Sequence, residues 1–161
     1  MAATKVKAIP EGYQGATPYL CVKDGAKALE FYKKAFGAKE LMRMAGPDGK
    51  IGHAEIKIGE AIIMLADEFP ERGFLSPQSI GGTPVSMMLY VDDVDGFVNK
   101  AAAAGGKIQK AVEDQFYGDR AGQLEDPFGH RWYIATHIED VAPDEMKKRA
   151  DDFMKQQMKK N

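Results

Sequence analysis

Cysteine is nearly absent from this sequence: Cys21 is the only one among 161 residues. No disulfide can form within the chain, whereas small secreted domains usually depend on disulfides for their stability. The first residues lack the apolar run of a secretory signal, and no apolar stretch approaches the roughly 20 residues that a membrane span needs. We therefore expect a cytoplasmic protein without membrane contact.

An excess of charge of one sign is also missing. Lysine and arginine number 22 against 24 aspartates and glutamates, which gives a net charge of −2 and an isoelectric point of about 5.9. Proteins that bind nucleic acid or anionic lipid usually show a basic excess, so we expect neither partner. The hydrophobic share of 44% is ample for a folded core, and the length suits one domain.

Motifs of nucleotide, flavin and serine-nucleophile sites are absent as well. The sequence contains no GxxxxGK[ST] phosphate loop, no GxGxxG fingerprint, no CxxC pair and no GxSxG elbow. The three histidines, His53, His130 and His137, show no HxH or HxxxH spacing that would bring two imidazoles to one ion. The sequence therefore offers no motif that predicts a cofactor.

Two segments of the chain share one outline. Residues 17–24 read TPYLCVKD and residues 86–93 read SMMLYVDD. Identities recur at a spacing of 69 positions, among them Val22 and Val91, Asp24 and Asp93, Gly37 and Gly106. Chance matching of common strand and turn residues is one explanation for so few identities. The shared order of predicted elements favours a true internal repeat.

Each repeat reads as β-α-β-β-β. A short apolar strand precedes Asp24 in the first repeat and Asp93 in the second, and each aspartate is placed to cap the helix that follows. Glycines then end the helices, at Gly37 and at Gly105–Gly106. Three further strands complete each repeat. The predicted strands are 17–22, 39–44, 51–58 and 61–66, then 86–91, 107–112, 120–125 and 131–137.

A linker and a tail account for the rest of the chain. We predict a single domain over 8–142, with module one at about 15–68, a proline- and glycine-rich linker at 69–84 and module two at about 85–138. The tail, 143–161, predicts a helix with one apolar face, and we expect it to pack on the domain or on a second subunit. A membrane-surface helix is the less favoured alternative, because the chain is slightly acidic.

Several phrases make this sequence resemble a known family. They are IPEGY at 9–13, FYKKAFG at 31–37, GHAEI at 52–56, IMLADE at 63–68, GGTP at 81–84, DQFYGDR at 114–120 and EDPFGHRW at 125–132. Together they resemble the vicinal-oxygen-chelate superfamily, the glyoxalase/bleomycin resistance protein/dioxygenase type, and within it the PhnB-like branch. The resemblance covers about residues 8–142. It specifies the family far better than the activity, because one fold hosts many functions.

The resemblance implies an α+β fold of two tandem β-α-β-β-β modules, followed here by a C-terminal helix. In that superfamily each module forms half of an open barrel, helices cover the outside, and the two halves enclose a cleft. Members commonly dimerise, so we expect a homodimer. Its metal-dependent members carry one ligand at the start of each module's first strand and one on each module's last strand.

In this sequence those ligand positions fall on four residues that are poor ligands for a divalent ion. They are Thr17, Met64, Ser86 and Tyr133. Such ions prefer imidazole and carboxylate donors, whereas this set offers a thioether, two neutral hydroxyls and a phenol. We therefore expect no metal and no other cofactor. The alternatives are a register slip of one residue and a relocated metal site.

Alternation along the strands indicates what else faces the cleft. Tyr19 shares the face of Thr17, and Arg131 shares the face of Tyr133. Phe116 and Tyr117 are candidates for the mouth of the cleft. A surface of this kind suits a small aromatic or hydrophobic ligand held by stacking and a few hydrogen bonds. The alternative is that these side chains simply fill the barrel.

Two charged positions allow both a functional and a structural interpretation. His53 lies beside Glu55 on one face of a predicted strand, where it is a candidate general base; the alternative is a structural histidine in the sheet or at a subunit contact. Arg120 is a candidate partner for a ligand carboxylate or phosphate. A structural ion pair with Asp119, Glu125 or Asp126 is the interpretation we favour for Arg120.

Three functions follow from these observations. The leading hypothesis is a metal-independent protein that binds a small aromatic or hydrophobic molecule in its cleft. The second is an enzyme of the superfamily, a lyase, isomerase or dioxygenase-like catalyst, that uses a displaced metal or His53 as a base. The third is a non-catalytic structural dimer.

Overall fold

The chain is divided into two compact units. The computed structural model describes residues 6–160; unit 1 ends at Ile80 and unit 2 begins at Gly81. The boundary lies inside the segment that the sequence predicts as a linker. That segment also contains two short helical turns, a 3-10 turn at Pro70–Arg72 and α2 at Pro77–Ile80, which the sequence did not predict.

Unit 1 has the predicted β-α-β-β-β order. Its sheet runs β1-β4-β3-β2, with β1 parallel to β4 and the other neighbours antiparallel. The predicted first strand is two residues too long, because β1 begins only after Pro18, which has no amide hydrogen to offer a ladder. The elements are β1 Tyr19–Val22, α1 Gly25–Phe36, β2 Lys39–Ala45, β3 Ile51–Ile58 and β4 Ala61–Asp67.

Unit 2 repeats this plan and adds the tail helix. Its sheet runs β5-β8-β7-β6, again with the edge strand β5 parallel to its neighbour β8 and the other neighbours antiparallel. Two mixed four-stranded sheets with helices confirm the predicted α+β class. The elements are β5 Ser86–Tyr90, α3 Val94–Ala103, β6 Lys107–Asp114, β7 Asp119–Glu125, β8 Arg131–His137 and α4 Pro143–Met158.

Both long helices of the repeats begin at the predicted aspartates. The Asp24 carboxylate accepts from the Lys27 amide at 3.0 Å, and the Asp93 carboxylate accepts from the Gly96 amide at 3.0 Å. Each bond satisfies an amide that has no partner in the first helical turn. Gly37, with φ of +65°, ends α1 in the left-handed conformation that glycine adopts without steric cost.

Alternation along the strands separates a buried face from a face that its helix leaves uncovered. In unit 1, Ala54 and Ile56 of β3 and Ile63 and Leu65 of β4 are buried, whereas the residues between them are partly exposed. Helix α1 contacts β2, β3 and β4, so it covers the buried face. We call the other side of each sheet, which its own helix leaves uncovered, the open face.

Trp132 is the largest buried side chain of unit 2. It is 0% exposed, and its indole N–H donates to the Asp126 carboxylate at 2.9 Å. The same carboxylate accepts from the amides of Phe128 at 2.9 Å and His130 at 3.0 Å. Asp126 therefore fixes both the turn before β8 and the buried indole of Trp132 on that strand.

Helix α4 packs on its own unit, as the sequence predicts. The ring of Phe153 lies 5.0 Å from that of Phe116, and the Arg149 guanidinium lies 2.8 Å from Glu139 and 3.0 Å from Glu145. Within residues 6–160, no helix is both long and apolar enough to cross a membrane.

The segment leading to α4 is held against Gly118. The Gly118 carbonyl accepts from the amides of Ile138 at 2.9 Å and Glu139 at 3.0 Å. Gly118 has φ of +96°, and a Cβ at this position would collide with the carbonyl oxygen of Glu139. A glycine is required here both by its conformation and by the closeness of the neighbouring backbone.

Candidate functional site

Unit 1 contains a cavity of about 830 Å³ at one end of its open face. The β2–β3 hairpin forms one side, and the segment that follows β4 forms another. Aromatic rings of Tyr19, His53, Phe69 and Phe74 contribute to its walls. We call this cavity the unit 1 pocket.

The rings of the unit 1 pocket meet at their edges. The ring centroids of Tyr19 and Phe74 lie 5.8 Å apart at an interplanar angle of 88°, and those of Tyr19 and His53 lie 5.4 Å apart. The Arg72 guanidinium lies 5.0 Å over the ring of Phe69. These contacts are attractive and give the pocket aromatic walls.

A chain of hydrogen bonds leads from the pocket into the sheet. The Tyr19 hydroxyl lies 2.6 Å from Nδ1 of His53, and Nε2 of His53 lies 3.0 Å from Oε1 of Glu55. The Tyr13 hydroxyl donates to Oε2 of Glu55. A single tautomer satisfies the whole chain: Tyr19 donates to Nδ1, and the Nε2 hydrogen is donated to Glu55.

The strand order explains why these side chains meet. His53 and Glu55 alternate on β3, so both point to the open face. Met64 on β4 pairs in register with Glu55 on one side and with Tyr19 of β1 on the other. The sequence predicted Glu55 beside His53, and the structure adds the Tyr19 hydroxyl to that pair.

Glu55 is partly buried and remains ionised. Its side chain is 16% exposed, and the hydrogen bonds from Tyr13 and then from His53 lower the pKa of its carboxyl group. Burial, followed by the negative charge of Glu55, raises the pKa of Tyr19. At neutral pH this chain of hydrogen bonds therefore has the neutral phenol of Tyr19 at the pocket end and the carboxylate of Glu55 at the other.

The Glu68 carboxylate holds the segment that forms one wall of the pocket. Its Oε2 accepts from the Ser79 hydroxyl at 2.7 Å and from the Ser76 amide at 3.0 Å. These bonds, the one from the Ser79 hydroxyl foremost, lower the pKa of Glu68 to about 2. Phe69, Arg72 and Phe74 lie within the loop that this carboxylate closes.

This pKa predicts how the wall responds to acid. A carboxyl group with a lowered folded-state pKa stabilises the fold above its unfolded pKa and loses that effect as the pH falls through its folded value. We expect the Ser76 amide to lose protection against hydrogen exchange as the pH falls from about 4.5, the ordinary pKa of a glutamate side chain, to about 2, the pKa of Glu68 in the folded protein. Amide exchange measured by NMR and corrected for intrinsic rates checks this. The substitution Glu68→Gln should abolish the pH dependence, whereas Glu71→Gln at an exposed neighbour should leave it; equal profiles for both variants would contradict it.

The four metal positions implied by the resemblance do not fit an ion. In unit 1, Thr17 and Met64 offer a hydroxyl and a thioether. In unit 2, Ser86 offers a hydroxyl, and the Tyr133 hydroxyl is bonded to that of Tyr117 at 3.0 Å. Across residues 6–160, no three or more His, Cys, Asp or Glu side chains are grouped so as to hold an ion. The side chains of neither unit match the donors that such ions prefer.

The predicted mouth residues of unit 2 have different neighbours. Tyr117 contacts Tyr133 through their hydroxyls, and burial raises the pKa of the Tyr117 phenol. Phe116 instead packs against Phe153 of α4. Tyr117 therefore remains a candidate ligand contact of unit 2, while Phe116 serves to anchor the tail helix.

The remaining open-face candidate of unit 2 is Arg131. It pairs in register with Ser86 of β5, and its guanidinium lies 3.7 Å from the Glu125 carboxylate. This exposed, loosely paired arginine shares the open face with Tyr133.

Arg120 does not belong with the open-face residues. Its guanidinium forms a two-point contact with Asp95 of α3 at 2.7 and 2.8 Å and a further bond with Asp114 at 2.9 Å. The favoured structural pairing is therefore present, but the predicted partners Asp119, Glu125 and Asp126 were wrong. The reason is strand alternation, which turns Arg120 toward the helix that covers the sheet.

Asp119 forms a second buried polar cluster in unit 2. It is 3% exposed and accepts from the Tyr90 hydroxyl at 2.7 Å, while Nδ1 of His137 lies 2.8 Å from it. Asp119, and then Asp140, raise the pKa of His137. This arrangement is a set of satisfied ion pairs, and it accounts for the histidine without a ligand.

Sequence reasoning missed several residues of the unit 1 pocket and of the hydrogen-bond chain behind it. Phe69, Arg72 and Phe74 lie in the segment interpreted as a linker, and Tyr13 lies before the first strand. Aromatic residues close to a strand end in an otherwise polar linker were the available signal. The bond between Tyr13 and Glu55 joins positions 42 apart, and no local pattern reports such a contact.

Comparison with known proteins identifies the family. The family model of the glyoxalase/bleomycin resistance protein/dioxygenase superfamily matches residues 15–134. An uncharacterized protein of Mycobacterium bovis is 44% identical over 133 residues, which cover 81% of this chain and 88% of that protein.

Solved structures show the same fold. An Arabidopsis thaliana gene product superposes with a TM-score of 0.61 at 26% identity, covering 76% of this chain and 98% of that one. A PhnB protein from Bacillus cereus gives a TM-score of 0.60 at 18% identity, covering 76% and 99%. The chain therefore belongs to the glyoxalase/bleomycin resistance protein/dioxygenase superfamily.

Proposed function

We propose that this protein binds a small planar molecule, aromatic or hydrophobic, in the unit 1 pocket and that it does so without a metal. The observation that carries this proposal is the cavity of about 830 Å³ with four aromatic rings in its walls. Ligand pockets of proteins typically have volumes of about 300–1,000 Å³ and combine apolar walls with a few polar groups. The donor set at the family's metal positions supports metal independence.

The polar groups of the pocket suggest which ligand fits. Arg72 is exposed at the pocket and stacks over Phe69, so it offers a cation to a carboxylate at one end of a guest. The Tyr19 hydroxyl oxygen, whose hydrogen is donated to His53, can accept a further hydrogen bond at the wall of the sheet. An aromatic carboxylate has the matching shape and charge.

Binding of 2-naphthoate, a planar fluorescent carboxylate, tests the proposal. We expect saturable binding to protein that has been dialysed against EDTA, and Phe74→Ala should weaken it about tenfold, equivalent to about 1.4 kcal/mol, because one aromatic wall is lost. The matched control is Phe153→Ala, which removes a ring from α4 and should leave affinity unchanged. Fluorescence titration measures both.

Three results would overturn this function. The first is equal affinity of wild type and Phe74→Ala for 2-naphthoate. The second is loss of binding after EDTA treatment that a stoichiometric divalent ion restores, because it would place a metal in the site. The third is absence of any 2-naphthoate binding, which would favour a purely structural protein whose own side chains fill the pocket.

The assembly, location and branch of the family belong to the same proposal. We propose a cytoplasmic homodimer of the PhnB-like branch, because members of the superfamily commonly dimerise. The enzymatic alternative is favoured by one observation, the contact of His53 with Glu55, which carries the inference below.

A further inference from the structure

We propose that Tyr19 is the catalytic proton-transfer residue of the unit 1 pocket, with His53 and Glu55 as the relay behind it, and that the substrate class is an aryl 2-oxo acid with an acidic C–H. The proposal rests on the proposed function, since it concerns the same pocket. It deepens that function by assigning a reaction, the enolisation of the bound ligand.

The geometry gives Tyr19 a hydroxyl that is both reachable and supported. Its side chain is 46% exposed and lines the pocket, while its hydroxyl lies 2.6 Å from Nδ1 of His53. Because the hydroxyl hydrogen points to the imidazole, the oxygen lone pairs are free to accept a proton from a guest. Nε2 of His53 lies 3.0 Å from Glu55, which orients the ring.

The second unit builds the same sheet with other residues at the three equivalent positions. In unit 1 the residues paired in register with Met64 are Tyr19 and Glu55. In unit 2 the residues paired with Tyr133 are Met88 and Gln123. The position two residues before Gln123 is Ala121, where unit 1 has His53. The equivalent sheet is thus built with no acid, imidazole or phenol at these three places.

The arrangement has the logic of a nucleophile–histidine–carboxylate triad, applied to proton transfer. A proton leaves the carbon next to the ligand's carbonyl and forms a bond to the Tyr19 oxygen as the Tyr19 hydrogen moves to Nδ1 of His53. The electron pair of the broken C–H bond forms the enolate, whose charge rests on the carbonyl oxygen. Reversal returns a proton to the same carbon, so no oxidant or further reactant is needed.

Charges around the relay match each role. Burial, followed by the charge of Glu55, raises the pKa of Tyr19, so the phenol keeps its proton at rest and passes it on only during transfer. Glu55 is ionised and faces the imidazolium that forms in the relay, and its second oxygen accepts from Tyr13. The other charged side chains that line the pocket are Asp48, Lys50, Asp67, Glu68 and Arg72.

The ligand class follows from what surrounds the hydroxyl. The ring of Phe74 lies edge-on to Tyr19 and favours an aryl group beside the reacting carbon. The exposed guanidinium of Arg72 favours a carboxylate at the far end of the ligand. An aryl 2-oxo acid carries both groups, and its acidic C–H lies between the ring and the carbonyl.

Exchange of the C3 hydrogens of phenylpyruvate for deuterium tests the proposal. Proton NMR in D₂O, with EDTA present, should show exchange faster than in buffer alone. Tyr19→Phe should lower kcat by about 100-fold, the scale of general acid–base catalysis, with KM changed less than threefold. The matched control is Tyr90→Phe in unit 2, which removes a tyrosine hydroxyl that donates to the Asp119 carboxylate, outside the relay, and should leave the rate unchanged.

The relay has its own readout. Glu55→Gln should lower kcat with KM changed less than threefold, because the neutral amide no longer favours the imidazolium that forms during transfer; Glu55→Asp should restore part of the rate. His53→Gln should lower kcat as far as Tyr19→Phe does. Phenylacetone, which lacks the carboxylate, should show a raised KM and a similar kcat.

The possible failures are distinguishable. Each variant is first checked for 2-naphthoate binding, so that a misfolded protein is not mistaken for an inactive one. Binding without exchange of phenylpyruvate above the buffer rate would overturn the relay and leave the proposed function intact. Wild-type exchange by Tyr19→Phe would also overturn it. Failure of wild type to bind 2-naphthoate would overturn both.

Discussion

Replacement of Trp132 by alanine is expected to lower the free energy of unfolding by about 3–5 kcal/mol, the usual cost of removing a large buried aromatic side chain. Trp132 is 0% exposed, so the substitution opens a cavity in the core of unit 2. It also removes the donor that reaches Asp126. Urea denaturation followed by far-UV circular dichroism measures the effect, since Trp132 is the only tryptophan and the variant has no indole fluorescence.

The conservative variant separates packing from hydrogen bonding. Trp132→Phe keeps most of the ring but leaves one oxygen of Asp126 without its donor, and we expect it to cost about 2 kcal/mol. Arg131→Ala, at an exposed neighbour on the same strand, should cost less than about 0.5 kcal/mol. A loss below 1 kcal/mol for Trp132→Ala would contradict the central role of this side chain.

Replacement of Gly118 by alanine is expected to cost about 3 kcal/mol. An L-residue at a positive φ costs about 1 kcal/mol, and the new methyl group would displace the Glu139 carbonyl. That displacement breaks the bonds from the Ile138 and Glu139 amides to the Gly118 carbonyl, each worth about 1 kcal/mol. Urea denaturation again gives the free energy, and exchange of the Ile138 amide reports the local change.

Gly105→Ala is the matched control for this prediction. Gly105 also has a positive φ, +117°, but a Cβ there would lie an ordinary 3.6 Å from Pro127. We expect a cost of about 1 kcal/mol from its backbone conformation alone. Equal stability of Gly118→Ala and Gly105→Ala would contradict the prediction, because the close approach of the Glu139 carbonyl to Gly118 would then add nothing to the cost.

Local patterns explain which parts of the fold the sequence predicts. The helix starts at Asp24 and Asp93 are visible because a capping residue acts on amides only two or three positions away. The shared face of His53 and Glu55 is visible because alternation in a strand is a property of the backbone. The family resemblance adds the pairing of modules, which periodicity alone does not give.

Contacts over long separations explain what the sequence did not predict. The pocket wall containing Phe69 and Phe74 depends on the Glu68 carboxylate, which organises a loop that has no periodicity of its own. Arg120 was assigned nearby partners, but its partner Asp95 lies 25 positions earlier on a helix packed across the sheet. In both places, the deciding contact is made by a charged side chain to a partner that no periodic pattern indicates.

The unequal chemistry of the two repeats has an evolutionary consequence. Each half of the chain builds the same sheet, yet Tyr19, His53 and Glu55 of the first half stand where the second has Met88, Ala121 and Gln123. Duplication provides two copies of one scaffold, and a binding site in one copy frees the other to drift without loss of the fold. Side chains on the open face of the second half can therefore change under selection while its sheet and the first half stay as they are.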